Sequence, residues 1–244
     1  MAEKIDPFAI HADLKTQGFS LLPSFDFVQT KQIELHFYSF PVHRDAHVPQ
    51  TARNRNDPQP IPRELCRDSE CVCVPTFAAI TAPHIFERAL SLTDVAASYL
   101  ECDPPVMYSA NAFWTRPGPA GTRPDIQEMH RDLDDTRFLA MFVFLTDVAD
   151  DGDGPQDLTG PDGVVRTIRG FAGTCFLADT SRDHRGRKPW QRERGLAWVR
   201  WGVSPRPPAN EWDKIEPIPA AALGPGRYPS DPRLRESIKL LVKG

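Results

Sequence analysis

No run of apolar residues in this 244-residue sequence approaches membrane-spanning length; the longest, such as Phe138 to Leu145, fall far short of the ~20 a transmembrane helix needs. The opening stretch Met1 to Phe8 is neither basic nor apolar, so no secretory signal is read there and a cytoplasmic location is expected. Cysteine is scarce. Five residues (Cys66, Cys71, Cys73, Cys102 and Cys175), an odd number without a signal, point to reduced thiols and not to a disulfide framework. Cys66 with Cys71-Val72-Cys73 lacks the fourth ligand of a structural zinc site, so free packed thiols are expected and no role is assigned to them. Neither sign of charge prevails: 29 basic against 33 acidic residues, net −4, exerts no general pull on nucleic acid or anionic lipid. An internal repeat, a Walker loop, a dinucleotide fingerprint and a serine nucleophile elbow are all missing. His130-Arg131-Asp132-Leu133 imitates a kinase catalytic loop, but Arg137 stands where the magnesium-binding Asn belongs and no Gly-rich loop precedes it. Asp132, Asp134 and Asp135 lack the central Gly and terminal Glu of a calcium loop.

What the chain has in excess is proline, 25 residues, about twice the usual frequency. They cluster between Pro41 and Pro62, Pro117 and Pro124, and Pro205 and Pro232, which predicts long loops there. Hydrophobic residues at 40% and charged residues at 25% fit a globular chain with a sizeable core. The expectation is one domain over 1–244: a mainly helical part with loops over 1–105, a β core over 106–203 and a C-terminal extension over 204–244.

Asp6-Pro7 is a helix start and Gly18 a stop, with a short strand following at Phe19 to Pro23. Further helices are expected over 27–40, 84–100 and 232–242. From Val106 the texture becomes that of strands, at 106–114, 137–148, 163–168, 174–178 and 196–203, divided by Gly, Pro, Asp and Thr. Helices first and strands afterwards predict an antiparallel β core with flanking helices; a double-stranded β-helix (a jelly roll of cupin-like form) fits best.

An H-x-D triplet on a strand turns an imidazole and a carboxylate to the same side, and a distant His can complete one face of an octahedron. The triplet occurs three times. His11-Ala12-Asp13 falls in a predicted helix, where i and i+2 diverge. His43-Arg44-Asp45 lies in a proline-rich stretch with no strand expected to hold it. His130-Arg131-Asp132 leads into the most apolar predicted strand, so it is the one a rigid scaffold can orient. Downstream, the strand 174–178 ends in polar residues, His184-Arg185-Gly186 follows, and Arg194 heads the next strand. A guanidinium there suits bidentate pairing with the far carboxylate of a dicarboxylic acid.

The order His130-x-Asp132, Asp179-x₄-His184-Arg185-Gly186, Arg194 resembles the Fe(II)/2-oxoglutarate oxygenases, and in particular the phytanoyl-CoA dioxygenase-like branch. Gln127-x-x-His130-Arg131-Asp132, Arg116-Pro117-Gly118, and Leu145-Thr146-Asp147-Val148 followed by Asp153-Gly154-Pro155 look like that branch too. The resemblance spans roughly Val106 to Val203. It departs at Leu158-Thr159-Gly160-Pro161, where members of the branch carry P-G-S-H.

The resemblance implies His130, Asp132 and His184 as iron ligands, and Arg194 as the anchor of 2-oxoglutarate with Arg192 as its rival. Asn111 and Gln127 are expected beside the co-substrate. It further implies Fe(II), 2-oxoglutarate and O2 as cofactor and co-substrates, and a small-molecule substrate with no nucleic acid or membrane partner. Oligomeric state is left open. Related halogenases replace the carboxylate, so Asp132 points to hydroxylation or another C–H oxidation coupled to oxidative decarboxylation. Two other readings stand beside it: a cupin-like metal-dependent isomerase or lyase, which has no need of Arg194, and a non-catalytic ligand-binding barrel, which has no need of Asp132. The basic run Arg182, Arg185, Arg187, Lys188, Arg192, Arg194 is read as a solvated rim balanced by Asp179, Asp183 and Glu193.

Overall fold

The structure is a computed structural model, and it describes residues 5–40, 42–44, 71–74, 76–118, 128–208 and 217–244. Gln127, Cys66 and most of the first two proline-rich stretches lie outside the described residues.

Helix α1 (Pro7–Gln17) begins where the Asp6 carboxylate accepts from the Phe8 and Ala9 N–H groups, and it ends at Gly18 with φ +80°, a conformation that favours glycine. Strand β1 (Phe19–Leu22) follows directly. Helix α2 (Phe27–Tyr38) starts with a reciprocal cap between Asp26 and Gln29. Strands β2 (His43–Arg44) and β3 (Cys71–Cys73) pair with each other, so His43 and Arg44 of the second triplet lie on a strand, contrary to expectation, while Asp45 lies outside the described residues. The helix expected over 84–100 is two, α4 (Ile85–Ser91) and α5 (Thr93–Leu100), parted at Leu92 (φ −96°, ψ 0°) and preceded by an unforeseen α3 (Thr76–Thr81). Ile85, Phe86, Ala89, Val95, Ala96 and Leu100 are buried on either side of this corner.

The β core consists of β4 (Val106–Thr115), β5 (Phe138–Phe144), β6 (Gln156–Thr159), β7 (Val165–Ile168), β8 (Cys175–Ala178), β9 (His184–Gly186) and β10 (Arg194–Gly202). Seven strands form an antiparallel sheet in the order β1-β8-β5-β10-β4-β3-β2, and three form a second in the order β7-β6-β9. The non-sequential order, with β10 between β5 and β4, is the crossing pattern of a double-stranded β-helix. The last predicted helix stops at Ile238, and β12 (Val242–Lys243) pairs in parallel with β11 (Ile218–Pro219).

Alternation along β10 assigns its two faces. Ala197, Val199 and Trp201 join Ile10, Leu14, Ile33, Phe37 and Trp114 in the core beneath the helices. Leu196 and Trp198 face the other way, into the space between the sheets, with Phe142, Phe144, Phe176, Leu158 and Ile168. Because partners directly opposite in register share a face, Arg194, Trp198 and Arg200 line that interior together with Thr115, Asn111 and Ser109 of β4.

Candidate metal centre

His130 and His184 exchange backbone hydrogen bonds, N–H to carbonyl at 2.9 and 2.8 Å, in an isolated antiparallel bridge that extends the smaller sheet. His130 and Asp132 therefore sit not on a regular strand, as the triplet suggested, but on a loop that touches the edge of β9. The Asp132 N–H donates to the Thr180 carbonyl at 3.0 Å, which fixes the turn between the two ligands. His130 Nε2 stands 3.8 Å from Asp132 Oδ1, and His184 Nε2 stands 3.6 Å from Asp132 Oδ2. One ligand atom from each residue lies within 4.8 Å of the others, the one such group of His, Cys, Asp or Glu among the described residues.

Each imidazole is oriented by the main chain two residues back. Nδ1 of His130 meets the Glu128 carbonyl at 2.9 Å, and Nδ1 of His184 meets the Arg182 carbonyl at 3.0 Å. A carbonyl only accepts, so Nδ1 must carry the proton and the Nε2 lone pair is left for a metal. Burial pushes the His184 pKa below 6.5 against the opposing influence of Asp132 and the Arg182 carbonyl. Burial acts to raise that of Asp132, but Arg200 and His184 outweigh it and hold the carboxyl below 3.8. Neutral imidazole beside ionised carboxylate is the state that binds a divalent ion.

Arg200 does not figure in the motif reading, yet it touches the site. Its Nη2 donates to Asp132 Oδ2 at 2.9 Å, and its Nη1 donates to Asp134, which also accepts from the Tyr108 hydroxyl at 2.9 Å. Asp135 accepts from the Val203 and Ser204 N–H groups, both at 2.8 Å, and ties the loop to the end of β10. Asp134 and Asp135 are thus bonded to Arg200, Tyr108 and backbone donors, and do not join Asp132 in a calcium loop. A signal for Arg200 was present: it is the one other charge on the interior parity of the strand that Arg194 heads.

Arg192 and Arg194 separate clearly. Arg192 precedes β10 and forms a two-point ion pair with Asp153, at 2.8 and 2.7 Å, so it does not share the face of Arg194. Arg194 is 6% exposed, and its Nη1 donates to the Gly154 and Arg187 carbonyls at 2.8 and 2.9 Å. Its Nη2 has only the Thr115 hydroxyl at 3.5 Å, its Nε has no partner, and no carboxylate pairs with it among the described residues. With the Gln156 amide oxygen turned towards it, Nη1 gains an acceptor at 3.3 Å, still a neutral one. Burial lowers its pKa to about 10, opposed by Cys71, so it remains cationic at neutral pH. A buried cation held only by neutral groups calls for an anion.

Gly186 makes that position accessible: a Cβ there would lie 2.6 and 2.8 Å from Nη1 and Nη2 of Arg194. Gly186 and His184 share a face of β9, one strand repeat of roughly 6–7 Å apart, a span that suits a five-carbon dicarboxylate. Asn111 is buried opposite Trp198 and donates to Ser109 Oγ at 3.4 Å. Trp198 stacks on Phe113 at 4.3 Å, and its indole Nε1 has no partner among the described residues.

Most of the basic run is neutralised, though largely by acids other than those foreseen. Arg185 and Arg187 share Asp157 at 2.9 and 2.8 Å, Arg187 also reaches Asp151, and Arg182 pairs with Asp179. Asp183 pairs with Arg131, and Glu193 with Arg116. His11, on α1 as expected, contacts Ser98, whereas Asp13 binds Gln17 and Ser20, so the first triplet forms no site.

Two imidazoles and one carboxylate with open positions suit Fe(II) among the divalent metals. No protein-family model matches the chain, and no curated protein does. Solved structures do. HygX of Streptomyces hygroscopicus, with nickel and 2-oxoglutarate bound, shares 13% identity over 80% of this chain and 87% of its own, with a TM-score of 0.53. SnoK, a non-heme alpha ketoglutarate dependent carbocyclase from nogalamycin biosynthesis, shares 12% over 82% and 85%, with a TM-score of 0.54. EctD from S. alaskensis, with bound Fe, shares 14% over 83% and 80%, with a TM-score of 0.53. The chain has their fold, the double-stranded β-helix. No helix among the described residues is long and apolar enough to cross a membrane.

Proposed function

We propose that this chain is a mononuclear non-haem iron oxygenase that couples oxidative decarboxylation of 2-oxoglutarate to hydroxylation, or a related C–H oxidation, of a small molecule. The observation that carries the reading is Arg194: a buried guanidinium without a carboxylate partner among the described residues, packed against Gly186, which lies one strand repeat along β9 from the metal-competent His184. A metal-dependent isomerase or lyase has no use for that charge. His130, Asp132 and His184 would hold the iron, which supplies the redox chemistry and activates O2. Arg194 would take the far carboxylate of 2-oxoglutarate through Nε and Nη2, the donors the protein itself leaves weakly used.

The other residues set the surroundings. The Trp198–Phe113 stack with Phe142 offers an apolar wall that keeps water from the reacting carbon. Asn111 offers an amide to the near end of the co-substrate. That solved relatives in fold bind nickel or iron and 2-oxoglutarate supports the same assignment, as does hygromycin B in a second HygX structure for a small-molecule substrate. The motif runs around Arg116, Gln127 and Asp147 favour the phytanoyl-CoA dioxygenase-like branch, with 1–244 acting as one domain. Asp132 as a carboxylate favours oxidation over halogenation.

The test is anaerobic titration with Fe(II) and then 2-oxoglutarate, watched for the weak visible band of the chelate, followed by admission of O2 and assay of succinate. A metal-loaded protein giving neither band nor succinate overturns the reading.

A further inference from the structure

Arg200 is fixed from several sides. Its guanidinium covers the Trp198 ring at 5.3 Å, holds Asp132 Oδ2 at 2.9 Å and pairs with Asp134, which Tyr108 braces. The loop that carries both carboxylates is tied to the same strand end through Asp135. Each oxygen of Asp132 faces one imidazole, Oδ1 that of His130 at 3.8 Å and Oδ2 that of His184 at 3.6 Å, but Oδ2 alone also accepts from Arg200, at 2.9 Å.

We propose that Arg200 is a positioning residue that restricts Asp132 to one-oxygen coordination of the metal, and so preserves the third open position on the ion. This rests on the oxygenase reading above. Two imidazoles and a one-oxygen carboxylate leave three positions of an octahedron, whereas a carboxylate chelating through both oxygens leaves two. A 2-oxo acid occupies two by itself, so without Arg200 none remains for the oxidant. Asp134 has a matching part. Its carboxylate takes Nη1 of the guanidinium and so keeps Nη2 on Asp132 Oδ2.

The experiment uses Co(II) as a visible stand-in and the full chain. Arg200→Met removes the donors while keeping bulk, and Arg200→Lys restores one charged donor. The Co(II) complex of Arg200→Met is expected to show an altered ligand-field spectrum before any 2-oxoglutarate is added, with Co(II) affinity no lower than wild type. 2-Oxoglutarate should still bind this variant, while reaction of its Fe(II)–2-oxoglutarate complex with O2 should slow by about ten- to a hundredfold, the range for outer partners of metal ligands, and Arg200→Lys should recover part of the rate. Loss of Co(II) and 2-oxoglutarate binding together would mark a merely structural role, and an unchanged Co(II) spectrum would mark a direct contact with 2-oxoglutarate; either overturns the proposal. If Arg200→Met does not fold, the infrared carboxylate stretches of Co(II)-loaded wild type decide. A wide separation of the Asp132 pair is the one-oxygen signature, and a narrow one overturns the proposal. A wild-type protein that never binds 2-oxoglutarate defeats the oxygenase reading alone, since the Co(II) spectra and the infrared separation still report how Asp132 holds the metal.

Discussion

The backbones of His130 and His184, 54 residues apart in sequence, are bonded to each other in both directions at 2.9 and 2.8 Å, so the two imidazoles spring from one β-bridge. A metal between them closes the same seam that the main chain closes. Saturation at a hundred times Kd should stabilise the fold by about 2.7 kcal/mol, the mass-action value for a ligand of the folded state alone. Calorimetry with and without Co(II), alongside amide exchange at His130 and His184, measures it. A thermal midpoint indifferent to metal would mean that the three side chains do not act as a site.

Asp132→Ala should lose Fe(II) and turnover together, affinity dropping by about a hundredfold or more because a ligand outranks its outer partners in effect. Equilibrium dialysis against Fe(II) and a succinate assay on the same preparation check this. Retained succinate formation would remove Asp132 from the metal.

Arg194→Met should weaken 2-oxoglutarate by about ten- to a hundredfold, the loss of charged hydrogen bonds contributing about 1.5–3 kcal/mol, and leave Fe(II) affinity unchanged. Arg192→Met should leave both affinities as they are and loosen the Asp153 loop instead. Titration of each variant separates the two arginines; the opposite pattern would make Arg192 the anchor.

Gly186→Ala is a milder probe of the same position. The new methyl meets the end of the Arg194 side chain, so the guanidinium moves and the strand does not. The KM for 2-oxoglutarate should rise while the thermal midpoint and Fe(II) affinity hold. A collapse of stability with no KM effect would show the strand yielding in place of the arginine.

Asp157 braces the smaller sheet from outside, accepting from Arg185, Arg187 and Thr167 at 2.9, 2.8 and 2.8 Å. Burial acts to raise its pKa, but the bonds from Arg187, Arg185 and Thr167 win and hold it below 3.8. The unfolded chain therefore takes up this proton first. Its contribution is complete above 3.8 and fades as pH falls through the folded value. Thermal midpoints measured down an acid series should fall less steeply for Asp157→Asn, which starts about 2 kcal/mol less stable, within the range for charged hydrogen bonds. Parallel curves for the two proteins would refute the assignment.

The parts of the fold that sequence reveals are those that alternate or that carry caps. Asp6-Pro7 and Gly18 delimit α1 to the residue, and the apolar strands β4, β5 and β8 stand within a few positions of expectation. Strands β6 and β9 escaped because they hold Gln156-Asp157 and His184-Arg185, and their pairing leans on ion pairs across the sheet. The break at Leu92 is invisible to a helical stripe, which continues through it in sequence. In the site, the expectation for the triplet at His130, the second histidine and Arg194 came from a family resemblance and from the strands around them, since the triplet itself occurs three times. Arg200 showed only as a second interior charge on its strand; its pairing, with a carboxylate 68 positions away, did not show. Asn111 was placed on the interior, while Gln127 lies outside the described residues.

Both imidazoles take their tautomer from a carbonyl oxygen, of Glu128 and of Arg182, and owe nothing to either residue's side chain. Substitution at 128 or 182 therefore leaves each tautomer in place, even where it breaks the Arg182–Asp179 pair. The rim can be rewritten for new cargo, one substitution at a time, while the proton on each ring stays where the peptide put it.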